Sequence, residues 1–223
     1  MNDERMGLEL RAARHAALGD PTRLRIVDLL ARSDRSPGEL MAVLGIASNL
    51  LGHHLGVLEG VGLIVRTRSE GDRRRSYVHL LPEGSGFARP AGKLTAPRVV
   101  FVCTGNSARS PIAAALWERT SRVPAASAGT HPAAAISAGA VAAARRQGVT
   151  VRGHTPAAVA DVVRPEDLVI AVCDRAYEEL GGGSALHWSV PNPRFIGTAR
   201  AYDDAVAELG RRVVALAPHL AAA

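Results

Sequence analysis

Apolar residues recur at two different periods along this chain, and the change falls near residue 97. Before it, Leu24, Ile26, Val27, Leu29 and Leu30 make one helical face. Leu51, Leu55 and Leu58 make another, at steps of four and three. The pattern predicts a first helix running through Arg14-His15-Ala16-Ala17-Leu18 and a break at Gly19-Asp20-Pro21-Thr22. There Asp20 caps and Pro21 opens the second helix, because a proline at the first helical position loses no hydrogen bond. Ser36-Pro37-Gly38-Glu39 opens a short helix over 40–44, Gly45-Ile46 turns, and Ala47-Ser48-Asn49 starts a helix over 50–59. Leu63 to Arg68 and Arg74 to Leu80 then read as two strands of a hairpin, with Ser69-Glu70-Gly71-Asp72-Arg73 as its turn.

Residues 82–97 are rich in Gly and Pro and read as a linker. Beyond it strands and helices alternate: strands at 98–102, 124–127, 168–172 and 186–190, helices at 111–120, 135–147, 174–180 and 199–218. Such alternation predicts a parallel sheet covered on both faces. The fold class expected is therefore two domains, a winged helix-turn-helix over 1–81 and, over 98–220, an α/β domain with a four-stranded parallel sheet.

Helix, turn, helix and a basic two-stranded wing is a DNA-reading layout, with the second helix in the major groove. Ser48, Asn49, Gly52 and His53 lie early on that helix, where base edges are within reach. Arg66, Arg68, Arg73, Arg74 and Arg75 put positive charge where backbone phosphates would run. His53-His54 is not read as a metal pair, since helix neighbours point about a hundred degrees apart, and no zinc-type spacing occurs elsewhere.

Charge supports a polyanionic partner without naming one. The net charge is +6, with 14 basic against 11 acidic residues in 1–96 and 13 against 10 in 97–223, so the excess is not confined to one half. Two distant cysteines give no disulfide framework and point to a reducing compartment. With no signal-peptide layout and no apolar run near the ~18 residues of a membrane span, the expectation is a cytoplasmic protein with no membrane partner.

The chemistry is concentrated at Val99-Val100-Phe101-Val102-Cys103-Thr104-Gly105-Asn106-Ser107-Ala108-Arg109-Ser110-Pro111. Apolar residues make a buried strand, a Gly-Asn-Ser turn follows, and Pro111 leads an alanine-rich helix. Backbone N–H groups from Thr104 to Ser110, at the positive end of a helix dipole, would cradle a tetrahedral oxyanion, and Arg109 would add a two-pronged guanidinium. The same field favours a Cys103 thiolate aimed at the bound phosphorus or arsenic atom.

This loop resembles that of the low-molecular-weight protein-tyrosine-phosphatase superfamily, which includes thiol-linked arsenate reductases. Ser127-Ala128-Gly129-Thr130, Gly153-His154-Thr155 and Asp167-Leu168-Val169-Ile170-Ala171-Val172-Cys173 extend the likeness over roughly 97–220. The Cys-Thr-Gly-Asn-Ser wording is closer to the reductase branch. Residues 8–81 resemble the ArsR family of winged-helix repressors, through Ala17-Leu18-Gly19-Asp20-Pro21-Thr22-Arg23-Leu24-Arg25-Ile26 and the run from His53 to Ile64. That resemblance implies a homodimer on operator DNA. The cysteine pair of several arsenic- and metal-sensing members is absent from 39–44.

Departures from the phosphatase pattern shape the expected activity. Where the family places an acidic Asp before Pro, this chain has Asn192, which cannot donate a proton as an acid; Asp203 and Asp204 are the candidates to stand in. Cys173 sits where the reductase branch carries its first resolving cysteine, while Leu180 and Ala108 stand where relatives carry further thiols. The resemblance therefore implies a DNA-binding regulator fused to a thiol-dependent arsenate reductase. Cys103, Arg109, Cys173 and Asn192 form its catalytic positions, with no bound cofactor or metal, and an external thiol or redoxin regenerates it. Two alternatives stay open: an oxyanion-sensing regulator with weak turnover, and a protein phosphatase carrying a DNA-targeting module.

Overall fold

The computed structural model describes residues 2–89, 92–151 and 155–223. They divide into two compact units, Met1–Arg68 with Arg74–Ala91, and Ser69–Arg73 with Gly92–Ala223.

In the first unit, helices α1 (Asn2–Leu18), α2 (Pro21–Leu30), α3 (Pro37–Leu44) and α4 (Ser48–Gly60) precede strands β1 (Ile64–Arg68) and β2 (Ser76–Leu80) and a one-turn helix α5 (Pro82–Ser85). The caps are written in the sequence. Asp20 accepts the Arg23 N–H at 2.9 Å, and Ser36 and Glu39 satisfy one another's backbone donors as a capping box. Gly45 ends α3 in the left-handed region (φ 66°), and α3 and α4 meet at 111°, the angle of a helix-turn-helix. Ile26, Val27, Leu30, Leu40, Leu51, Leu55 and Leu58 close the core beneath them. β1 and β2 pair antiparallel from Ile64↔Leu80 to Arg68↔Ser76.

The second unit runs β3 (Leu94–Thr95), β4 (Val99–Cys103), α6 (Arg109–Thr120), β5 (Ala125–Gly129), α7 (Ala138–Arg146), α8 (Val159–Val162), β6 (Leu168–Ala171), α9 (Asp174–Leu180), β7 (Leu186–His187), α10 (Pro193–Ile196), α11 (Ala199–Leu216) and β8 (Leu220–Ala221). Four strands form a parallel sheet in the order β5-β4-β6-β7. β4 is central and wholly buried, as its run of Val, Val, Phe and Val requires. Phe101 packs between Trp117 and Trp188, with ring centroids 5.9 and 5.7 Å away, so three of the chain's few aromatics serve one spot. Elsewhere Ala113, Ala114, Ala140, Ala143 and Ala144 let the helices approach the sheet closely.

Residues 82–97 are less open than a linker. Pro82 starts α5, Phe87 and Ala88 pack on the first core, and Leu94–Thr95 pairs in parallel with Leu220–Ala221. Apolar residues within the Gly/Pro stretch explain this, since each finds a core or an edge strand to cover. The expected hairpin turn joins β1 and β2 as read, and its residues Ser69–Arg73 group with the second unit. No single helix among the described residues is long and apolar enough to cross a membrane.

Candidate functional site

Strand β4 delivers Cys103 to its carboxyl end, and the chain wraps over seven residues into α6. The loop's carbonyls face outward: those of Cys103, Thr104, Gly105 and Ser107 accept the N–H groups of Thr130, His131, Ala133 and Ser137 at 2.8–3.2 Å. A trans peptide points its N–H opposite to its carbonyl, so the N–H groups of Thr104, Gly105, Asn106 and Ala108 turn inward. The anion cradle expected from sequence thus has a specific cause, the clamp of 130–137 on the loop's outer side.

Asn106 locks the cradle. Its backbone is in the left-handed region (φ 45°), which Asn tolerates better than most residues. Its side-chain amide donates to Ser110 Oγ (3.0 Å) and Ser127 Oγ (2.8 Å) and accepts the Ala157 N–H (2.9 Å). Ser110 Oγ in turn lies 3.1 Å from Cys103 Sγ. Gly129 fits beneath: a Cβ there would meet Thr104 O at 2.8 Å and Asn106 N at 2.9 Å, both backbone. Gly129→Ala is therefore expected to push the loop out of shape, at a cost of about 1–3 kcal/mol and a loss of about tenfold or more in phosphate affinity. Thermal melts and phosphate titration check this, and wild-type values for both would refute it. The Gly129 motif matters for space rather than for chemistry.

Arg109 opens α6 and is buried, its Nη1 donating to Val190 O at 2.7 Å. Burial works against its charge, but the sulfurs of Cys173 and Cys103 and the carboxylates of Glu70 and Asp174 hold its pKa above the ordinary arginine value. Cys173 follows β6 and caps α9, its sulfur accepting the Ala176 N–H at 3.5 Å and lying 3.5 Å from Thr104 Oγ1. Burial pushes the Cys173 thiol up, against the pull of Arg109. Cys103, Arg109 and Cys173 line one cavity of about 300 Å³, with the cradle at its base.

Asn192 lines the same cavity, but its side chain is engaged elsewhere: Oδ1 accepts the Arg194 N–H at 3.1 Å and caps α10. Asp203 and Asp204 do not replace a missing acid. Both are on α11, where Asp203 pairs with Arg146 (2.7 Å) and Asp204 lies 3.9 Å from Arg200, and neither lines the cavity.

Sequence reasoning missed several residues that fold into the site. His131 and Arg175 line the cavity and share the Glu179 carboxylate at 3.1 and 2.8 Å. Arg194 Nη1 reaches Ser107 Oγ at 3.4 Å, extending a second guanidinium over the cradle. Glu70 places a carboxylate oxygen 3.4 Å from Arg109 Nη1. None carries a local motif, and only chain folding brings them together. Of the Gly153-His154-Thr155 match, Gly153 and His154 lie outside the described residues. Among the described residues no group of three or more His, Cys, Asp or Glu could hold a metal ion.

In the first unit, Ser48, Asn49, Gly52 and His53 are all exposed along α4, while His54 is buried 3.8 Å from Asp20. Their exposure at one end of the helix leaves room for a DNA groove. The basic hairpin is less uniform than its sequence. Arg66 is clamped by both oxygens of Glu59 at 2.5–3.1 Å, whereas Arg68, Arg74 and Arg75 are exposed. Arg73 is also exposed, within the segment that belongs to the second unit. The Arg66–Glu59 pair withdraws one cation from the set expected to meet phosphates.

Comparison with known proteins agrees with this division. Residues 98–223 match the family model of low molecular weight phosphotyrosine protein phosphatases, and residues 18–67 match that of a helix-turn-helix domain. An uncharacterized HTH-type transcriptional regulator of Mycobacterium tuberculosis is 39% identical over 61 residues, 27% of this chain and 54% of the relative. The HTH-type transcriptional regulator CmtR of Mycobacterium bovis is 45% identical over 51 residues, 23% of this chain and 43% of the relative. The chain spans about half the length of the curated relatives it matches. Among solved structures, a YwlE mutant from Bacillus subtilis aligns at 24% identity and TM-score 0.48, covering 54% of this chain and 96% of that one. Arsenate reductase from Archaeoglobus fulgidus aligns at 26% identity and TM-score 0.46, covering 54% and 98%. With a family model matching more than half of its length, the chain belongs to the low molecular weight phosphotyrosine protein phosphatase family, and it carries an ArsR-type helix-turn-helix domain ahead of that unit.

Proposed function

We propose that this protein is a DNA-binding transcriptional regulator whose second unit is a thiol-dependent arsenate reductase. The observation that carries the reading is the placement of Cys103 and Cys173 on one cavity above an inward-facing row of N–H groups and a buried arginine. The Cys103 thiolate attacks arsenic, a sulfur–arsenic bond forms, and an arsenate oxygen leaves as water. The Cys173 thiolate then attacks the Cys103 sulfur. A disulfide forms, the sulfur–arsenic bond breaks, and its electron pair stays with arsenic, which departs as arsenite. Two thiols have lost two electrons and arsenic(V) has gained them. An external thiol or redoxin then reduces the disulfide.

Asn192 supports this over efficient phosphoester hydrolysis. A leaving alkoxide needs a proton, acid catalysis is worth about 10²–10⁴-fold, and the amide at this position caps a helix instead. In arsenate reduction the oxygen that leaves as water can take both its protons from arsenate's own two hydroxyls, so the step needs no acid from the protein. The same substitution favours the second reading, an oxyanion-sensing regulator with weak turnover. In the first unit, exposed Met6, Leu8 and Leu10 on α1 leave apolar surface for a homodimer, the form in which paired α4 helices would meet operator half-sites.

The test is one turnover: reduced protein, arsenate and no added reductant. One arsenite per chain with both thiols consumed is expected. No arsenite with both thiols retained would refute the two-thiol relay and leave either a partner thiol in place of Cys173 or the sensor. Because burial raises the Cys173 pKa, its thiolate is the minor form near neutral pH, and arsenite release should quicken by about tenfold per pH unit until that pKa is passed.

A further inference from the structure

The segment Ser69–Arg73 is held in the second unit by bonds that fix one carboxylate. The Glu70 N–H donates to Asp174 Oδ2 at 2.9 Å. Ser69 Oγ donates to Glu178 Oε1 at 2.7 Å, and the Asp72 N–H to Glu178 Oε2 at 2.8 Å. Gly71 lies so close to Arg175 that a Cβ would meet its Cα at 2.9 Å. So anchored, Glu70 turns its side chain into the cavity that holds Cys103 and Cys173. Both of its oxygens accept the Asn192 N–H, at 2.8 and 3.1 Å, and one lies 3.4 Å from the buried Arg109 guanidinium.

A carboxylate that accepts a backbone N–H and faces a buried guanidinium makes the contacts a bound anion makes. We infer that Glu70 is an internal occupant of the oxyanion site, which an incoming phosphate or arsenate must displace to engage Arg109. This rests on the oxyanion reading of the cradle and adds to it what sets the site's affinity. Competition lowers apparent affinity by the fraction of molecules in which Glu70 is withdrawn. It also ties ligand binding to the release of Ser69–Arg73. That segment is the covalent link between β1 and β2, so its release gives an oxyanion signal a route to the hairpin arginines.

The test uses the full chain and inorganic phosphate. Calorimetric titration of Glu70→Gln should show affinity about tenfold above wild type. Saturating phosphate should also speed hydrogen exchange at the wild-type amides of Glu70 and Asp72. Equal or weaker phosphate binding by Glu70→Gln, or amides still protected at saturation, would overturn the inference. So would a variant with unchanged phosphate affinity that loses aryl-phosphate turnover, which would mark Glu70 as the acid. Phosphate binding to neither protein would be a different failure, sinking the oxyanion reading itself and this inference with it.

Discussion

Replacing Cys103 with serine is expected to abolish arsenite formation, and any release of phosphate from aryl phosphates, by about 10⁴-fold or more. On the proposed reading the Cys103 sulfur bonds the central atom, from the carboxyl end of β4 where the cradle loop begins. A serine hydroxyl there is a far weaker nucleophile than sulfur, and the Ser110 hydroxyl, 3.1 Å from the Cys103 sulfur, is no base to ionise it. Anion binding should survive within a few-fold, since the inward N–H groups belong to other residues. The measurement is a single-turnover assay beside phosphate titration of the same variant. Residual arsenite above a thousandth of wild type would refute the role of Cys103. Lost activity together with lost binding would show only that the loop had collapsed.

The second large effect concerns Arg109. Substituting lysine keeps the charge and removes the planar fork, a change that is not conservative where a tetrahedral anion is gripped through two donors. The guanidinium is buried, so water cannot replace the lost contacts, and its bond to Val190 O is lost with it. Phosphate affinity in Arg109→Lys is expected to fall by about a hundredfold, near 3 kcal/mol for loss of charge-assisted bonds in a buried site. Glu70 would then face an ammonium in place of the fork, so Glu70→Gln in the Arg109→Lys background should recover less affinity than in wild type. Isothermal titration of both variants checks this. Wild-type binding by Arg109→Lys would mean that backbone N–H groups alone hold the anion.

Much of the architecture is local in origin and could be read directly. Asp20 before Pro21, Ser36 with Glu39, and Gly45 after Leu44 are caps whose chemistry acts within one turn. The Val-Val-Phe-Val run has no polar face, so it could only be a strand covered on both sides, and it is the second strand of the sheet order. Cys103, Arg109 and the loop between them lie on consecutive residues, and strand-loop-helix geometry sets their placement. The short helices α8 and α10 were missed because four residues carry no period.

Tertiary structure decided what is distant in sequence. Cys173 lies 70 residues after Cys103, and only pairing of β4 with β6 delivers both thiols to one cavity. Asn192 marked a missing acid by its identity, but its engagement as the α10 cap depends on the turn it enters. Arg66 reads as one more wing cation, yet Glu59, seven residues earlier, neutralises it across the turn after α4. Glu70 is the sharpest case. In the sequence it is one polar residue of a hairpin turn, and nothing within several positions signals that it faces Arg109. Hydrophobic period and capping are short-range and survive in one dimension. Charge and thiol proximity depend on which strands pair, and that is settled by burying the whole core at once.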